Sequence, residues 1–211
     1  MVQSAVTQVV RTLNDAHELF GLIRAEDASF FSEWQDNLPK LDDIERASLD
    51  RVRRRFRYHR EAGQVTEGMV NAIVVSPLLE LVGFYDPPYQ LRSELTVEVQ
   101  TQQEQRVLRG RIDFLVVQDR FWQVVVESKE STFDVEVGIP QLLAYMMAAP
   151  VEQTVLFGMV TNGNSFVFVK LRRGEVPAYD FSDVYSLLAR QNQLYSVAAA
   201  LRRIAGEISA T

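Results

Sequence analysis

Arg111-Ile112-Asp113-Phe114-Leu115-Val116-Val117 is followed by the polar break Gln118-Asp119-Arg120 and then by Trp122-Gln123-Val124-Val125-Val126-Glu127-Ser128-Lys129. Two valine-rich runs separated by a few polar residues predict an antiparallel hairpin. An aspartate in the first run and a Glu-x-Lys at the end of the second are out of place in a core strand. Burying charge without a partner is costly or shifts the group's pKa. A divalent cation held between the carboxylates is the simplest compensation.

The facing of these groups depends on the loop. Side chains alternate along a strand, so Glu127 and Lys129 share a face about 6.7 Å apart. If Gln118-Asp119-Arg120 is a three-residue loop, Asp113 pairs opposite Val125 and lies diagonal to Glu127, about 7–8 Å away. A two-residue loop throws the carboxylates onto opposite faces, because a register shift of one residue inverts the facing. Mg²⁺ takes hard oxygen ligands and keeps several waters, so Asp113, Glu127 and the main-chain carbonyl of Ser128 suffice to hold it. Lys129, on the same face, can orient the attacking water and stabilise transition-state charge. The competing interpretation is a surface Glu-Lys pair at the end of an ordinary strand.

Two neighbouring segments add polar groups. In Gly138-Ile139-Pro140-Gln141-Leu142-Leu143-Ala144-Tyr145, Pro140 suits the first turn of a helix, and Gln141 and Tyr145 fall on one face at i, i+4. Such an amide and phenol can hydrogen-bond a phosphate or a metal-bound water, although, taken alone, a buried helix whose tyrosine is merely core explains the pattern better. Upstream, Thr66 can cap a helix that places Glu67 in its first turn.

Glu67, Asp113, Glu127-Ser128-Lys129 and Gln141-x-x-x-Tyr145, in that order, resemble the PD-(D/E)xK nuclease superfamily. In particular, they resemble the N-terminal nuclease domain of type I restriction enzyme R subunits. Thr161-Asn162-Gly163-Asn164 resembles the turn that follows the nuclease helix there, and the resemblance covers about residues 64–171. It implies that Asp113 and Glu127 bind Mg²⁺, with Mn²⁺ as a substitute, that Lys129 is the catalytic lysine, and that Glu67 is the helix carboxylate assisting the metal. It further implies that Gln141 and Tyr145 position the substrate. Glu94 and Glu98 have no counterpart and are expected at the surface. R subunits continue into a helicase motor, whereas this sequence contains no Gly-Lys-Ser/Thr phosphate loop, so no translocation is expected of it.

The sequence of 211 residues is 47% hydrophobic and 24% charged, enough for one compact domain with a large core. The absence of cysteine excludes disulfides and thiolate metal sites. With no apolar signal core and no run near the ~20 residues of a membrane span, the expected location is the cytoplasm. A net charge of −6 runs against tight nucleic-acid binding through the whole surface. One basic cluster stands out: Arg51, Arg53, Arg54, Arg55, Arg57, His59 and Arg60, interleaved with Phe56 and Tyr58. It can follow a phosphate backbone, or it is the solvated face of a helix whose preceding acids, Asp42, Asp43, Glu45 and Asp50, supply i, i+4 partners. His17 and His59 have no partner at metal-ligand spacing.

The expected architecture is an α/β, restriction-endonuclease-like core of order α-β-β-β-α-β, with a mixed sheet of four or five strands. Residues 1–63 form a helical N-terminal extension, with helices over Ser4–Leu22 and Leu41–Glu61. Residues 64–175 form the catalytic core. Residues 176–211 form a C-terminal helix, from Asp183, packed on that core. The expected function is metal-dependent hydrolysis of phosphodiester bonds in DNA, of restriction-endonuclease type; RNA offers the same bond. A homodimer suits an enzyme that cuts both strands, whereas separate motor and specificity subunits are the partners that the resemblance implies. The alternative is a catalytically silent nuclease-fold module that binds nucleic acid or a partner subunit.

Overall fold

Strands clad by helices on both faces have no solvent side, and their sequences lose the polar-apolar alternation of half-exposed strands. That is the case for the valine runs. The computed structural model describes residues 4–101 and 107–208, with the backbone alone for 207 and 208. Gln100 to Arg106 is polar enough in sequence to be a turn or a long hairpin, and it falls mostly outside the described residues. Strands are β1 (Ser4–Ala5), β2 (Ile23–Arg24), β3 (Tyr89–Gln100), β4 (Val107–Gln118), β5 (Phe121–Ser128), β6 (Val155–Thr161), β7 (Ser165–Arg172), β8 (Ala178–Phe181) and β9 (Tyr185–Ser186). Helices are α1 (Val6–Val9), α2 (Leu13–Phe20), α3 (Asp43–Glu61), α4 (Glu67–Val70), α5 (Ser76–Leu81), α6 (Ile139–Met146) and α7 (Leu194–Ile208). A π-helical segment, Asn71–Val75, joins α4 to α5.

From α4 to β6 the element order is the expected α-β-β-β-α-β. The sheet is mixed: β4 pairs antiparallel with both β3 and β5, β5 and β6 pair in parallel across the α6 crossover, and β6, β7 and β8 continue antiparallel. It is wider than four or five strands. Among the described residues it has nine, because β1 pairs in parallel with β4, β2 pairs in parallel with β8, and β9 pairs with β7. The helix expected over Ser4–Leu22 is therefore β1, α1 and α2, and the helix expected from Asp183 begins only at Leu194. A strand of two residues has no period to read, so its existence is decided by the edge it docks on.

Two cores lie on opposite faces. One joins α3, α4, α5 and α7 to Val116, Val124, Val126, Phe157, Met159, Phe166 and Phe168. The other joins α1, α2 and α6 to Leu115, Val117, Val125, Leu156, Val160, Val167 and Leu171. Strand β4 changes allegiance at the aspartate: Phe114 and Val116 pack in the first core, whereas Leu108 and Ile112, of the same parity, pack in the second. Opposite this point, Glu94 of β3 adopts φ 51°. The fold thus bends the β3–β4 ribbon where Asp113 sits.

Among the described residues no helix is long and apolar enough to cross a membrane.

Candidate active site

The hairpin closes differently from the three-residue loop expected. Gln118 pairs with Phe121, leaving a two-residue turn of Asp119 and Arg120, with Asp119 at φ 55°, a left-handed conformation that aspartate tolerates. Taken alone, that turn puts Asp113 and Glu127 on opposite faces. A bulge corrects it: Val117 pairs with Trp122 but Val116 with Val124, so Gln123 is the extra residue. Beyond the bulge Phe114 pairs with Val126. The same register extended by one residue sets Asp113 directly opposite Glu127, rather than opposite Val125. The carboxylates meet for a reason the loop length does not reveal.

Both are buried, at 9% and 2% exposure. The backbone N–H and the hydroxyl of Ser128 donate to Asp113 Oδ2 at 2.7 and 2.6 Å, which locks one aspartate oxygen and leaves Oδ1 outside those bonds. Lys129 Nζ donates to Glu127 Oε1 at 2.5 Å and to Gln141 Oε1 at 3.0 Å, and Gln141 Nε2 donates to Tyr145 Oη at 2.6 Å. The i, i+4 pair of α6 is therefore wired through the lysine to the β5 carboxylate. Among the described residues Glu127 Oε2 is buried without a hydrogen-bond partner. Such an oxygen is expensive to leave unsatisfied.

Electrostatics say the same. Burial first, then the charge of Asp113, pushes the Glu127 carboxyl up to about 8, against the opposing pull of Lys129. Glu67 is raised, mainly by burial and next by Asp113. Burial and then the Glu127 charge push the Tyr145 phenol up to about 12, so it holds its proton at neutral pH. Lys129 offsets only part of the burial and mutual repulsion of these carboxyls, and added cation density would offset the rest. The oxygen donor set suits Mg²⁺, which needs only one or two protein carboxylates. Among the described residues no three acidic, histidine or cysteine side chains gather into one ligand group, so Glu67 stands beside the Asp113–Glu127 pair rather than completing a triad. Thr66 occupies the N-cap of α4, yet its side chain makes no capping bond.

All six side chains named from the sequence as catalytic, Glu67, Asp113, Glu127, Lys129, Gln141 and Tyr145, line one cleft of about 680 Å³. Ser128 stands behind Asp113 as its donor. The cleft also holds residues that sequence reasoning missed: Ser4, Thr7, Thr96, Arg109, Gly110 and Arg111. Gly110 has a steric reason, because a Cβ there would lie 2.3 Å from Tyr145 Cε1. Its only signal is a glycine inside a strand pattern, which marks close approach of another group. Glu94 and Glu98 are exposed as expected, and Glu94 lies 3.6 Å from Arg111. His17 bonds Tyr179 at 2.7 Å, away from the cleft.

Residues 78–183, half of the chain, match the family described as type I restriction enzyme R protein N terminus (HSDR_N). Of the cleft acids, Glu67 lies ahead of that stretch. No curated protein matches the chain. Among solved structures the chain is similar to a fragment described as an HsdR subunit of a type I restriction enzyme from Vibrio vulnificus YJ016. The identity is 20% over 69% of this chain and the TM-score is 0.42; the match spans 26% of that chain's length. On the extent of the family match, the chain belongs to the type I restriction enzyme R protein N terminus family.

Proposed function

We propose that the chain is a divalent-metal-dependent nuclease of the PD-(D/E)xK kind that hydrolyses phosphodiester bonds in DNA. The observation that carries this reading is Asp113 set across the β4–β5 ladder from Glu127, whose Oε2 is buried without a partner beside Lys129. Asp113, Glu127 and the Ser128 carbonyl would hold Mg²⁺ or Mn²⁺, with Glu67 alongside. When bound, such a cation would supply Lewis acidity toward a phosphoryl oxygen and toward the attacking water. Lys129 Nζ orients the attacking water and offers positive charge to the developing phosphorane-like centre. Gln141 fixes that ammonium by accepting from it, and so acts as a positioning residue. Tyr145 accepts from Gln141 and keeps its own proton, which is free for a substrate phosphate oxygen.

The test is cleavage of supercoiled, linear and single-stranded DNA with Mn²⁺ and then Mg²⁺, comparing wild type with Lys129→Ala from matched preparations. Activity that falls by roughly 10²–10⁴-fold in the variant is expected. Metal-dependent cleavage that survives the substitution, or no cleavage together with no metal-induced rise in Tm, sinks the reading.

A further inference from the structure

We propose that the outward stripe of α3, formed by Arg51, Arg54, Arg55 and Tyr58, is a docking surface for the phosphodiester backbone of duplex DNA, outside the cleft. The choice of ligand rests on the nuclease reading; the existence of a free cationic surface does not. The arginine cluster divides by helical angle into two sets. Leu49, Val52 and Phe56 face the core. On one flank Arg53 donates to the carbonyls of Leu187, Ala189 and Arg190, Arg57 donates to Leu187 O at 2.7 Å, and Arg46 stacks on Tyr195. These cations hold the segment before α7.

The other flank is unclaimed. Asp42 and Glu45 form the capping box of α3, Glu45 also binds Arg202, and Asp50 accepts from Asn192 and Tyr195. These three acids thus take their hydrogen bonds within the cap or from α7 and the residues just before it, although the Arg54 charge still acts on Asp50 and helps to lower its carboxyl. Arg51, Arg54 and Arg55 are exposed, and among the described residues none of them forms an ion pair; Arg51 reaches only Ser48 Oγ at 3.3 Å. Glu80 shares the groove between α3 and α5 with Arg51 and Arg55 and offsets part of their charge. Arg51, Arg55 and Tyr58 lie at i, i+4 and i+7, so the stripe runs about 10 Å along the axis. Tyr58 is 71% exposed and adds an aromatic face.

Guanidinium groups pair phosphate oxygens in a bidentate fork, as they also do carboxylates, so the choice of nucleic acid over an acidic protein follows from the nuclease reading. The helix is also tied to the strand ends that carry the site. Phe56 fills the space beside Gly163, where φ is +79° and a Cβ would lie 2.5 Å from the ring. Gly163 N–H donates to Thr161 Oγ1, and Lys129 N–H donates to Thr161 O at 2.8 Å. After α3, Val65 and Ser131 bond reciprocally, one residue before Thr66 and Glu67.

The experiment titrates a labelled DNA duplex by fluorescence anisotropy without metal, at several salt concentrations, with thermal unfolding as a folding control. It compares Lys129→Ala with the same chain also carrying Arg51→Ala, Arg54→Ala and Arg55→Ala. The triple change is expected to weaken binding and to reduce the slope of log K against log salt by about 2–3, since each phosphate contact contributes about 0.9. Equal affinity and slope in the two proteins overturn the proposal. So does polyglutamate binding the Lys129→Ala protein as tightly as DNA at the same salt, which marks a surface for acidic protein. Because nothing is cut in this assay, failure of wild-type cleavage overturns the nuclease reading while leaving the binding result to stand by itself.

Discussion

The β4–β5 hairpin and α3 both concentrate charge, but the fold disposes of it in opposite ways. On the hairpin, two acids and a lysine are buried against one another, and the arrangement depends on a one-residue bulge at Gln123. On α3 the charges are sorted by angle: one set is spent on carbonyls and the other is left in water. Charge buried on a strand is held under electrostatic tension that something else must relieve. Charge on a helix surface carries no tension, and its partners alone decide whether it is structural.

Glu127→Gln separates the two cases most sharply, because it is expected to abolish metal-dependent cleavage and yet stabilise the metal-free protein. The carboxyl is raised from 4.5 to about 8 in the folded chain, so between those values the folded state keeps a proton that the unfolded state releases. Stability of the wild type is therefore lost as pH rises from about 4.5 to about 8 and stays low above that. Glutamine carries no such proton. At about 1.4 kcal/mol per pKa unit, the advantage of the variant should reach on the order of a few kcal/mol above pH 8 and vanish toward pH 4. Metal-free denaturant unfolding across that range measures it. A variant less stable than wild type at pH 9 would mean that the Lys129 pairing outweighs burial.

The two flanks of α3 give a smaller contrast. Arg53→Ala removes donors from the carbonyls ahead of α7 and should cost about 1–3 kcal/mol. Arg54→Ala should stay within about 0.5 kcal/mol, as surface changes do. Equal losses in urea unfolding would erase the division of the helix into structural and free arginines. Least of all should follow from deleting Gln123. The deletion returns β5 to regular alternation while keeping Phe114 opposite Val126, so cleavage should remain within about tenfold of wild type. A loss as deep as that of Lys129→Ala would show that the bulge does more than set register.

Much of the site was legible because its residues violate the rules of their own elements. Acids at the end of a valine run are conspicuous, and Gln141 and Tyr145 keep helical spacing that local geometry enforces, so their bond in α6 follows from sequence distance alone. Arg109, Gly110 and Arg111 were not legible, since a cation near the start of a strand looks like any surface residue until β1 and α6 close around it. The arginines of α3 were seen as a cluster, but of the acids expected to neutralise them Asp42 and Glu45 close the capping box, and Glu45 and Asp50 also bond Arg202, Asn192 and Tyr195, which are choices made across the fold.

The sequence by itself determined the long strands and helices and the order in which the polar groups arrive, because periodicity and unpaired charge are local properties. Only the tertiary structure decided that Asp113 faces Glu127, that nine strands rather than five share the sheet, and which arginines are free. Register across a bulge, docking of two-residue strands and the competition for hydrogen-bond partners are all settled between segments distant in the chain, where no local pattern carries the answer.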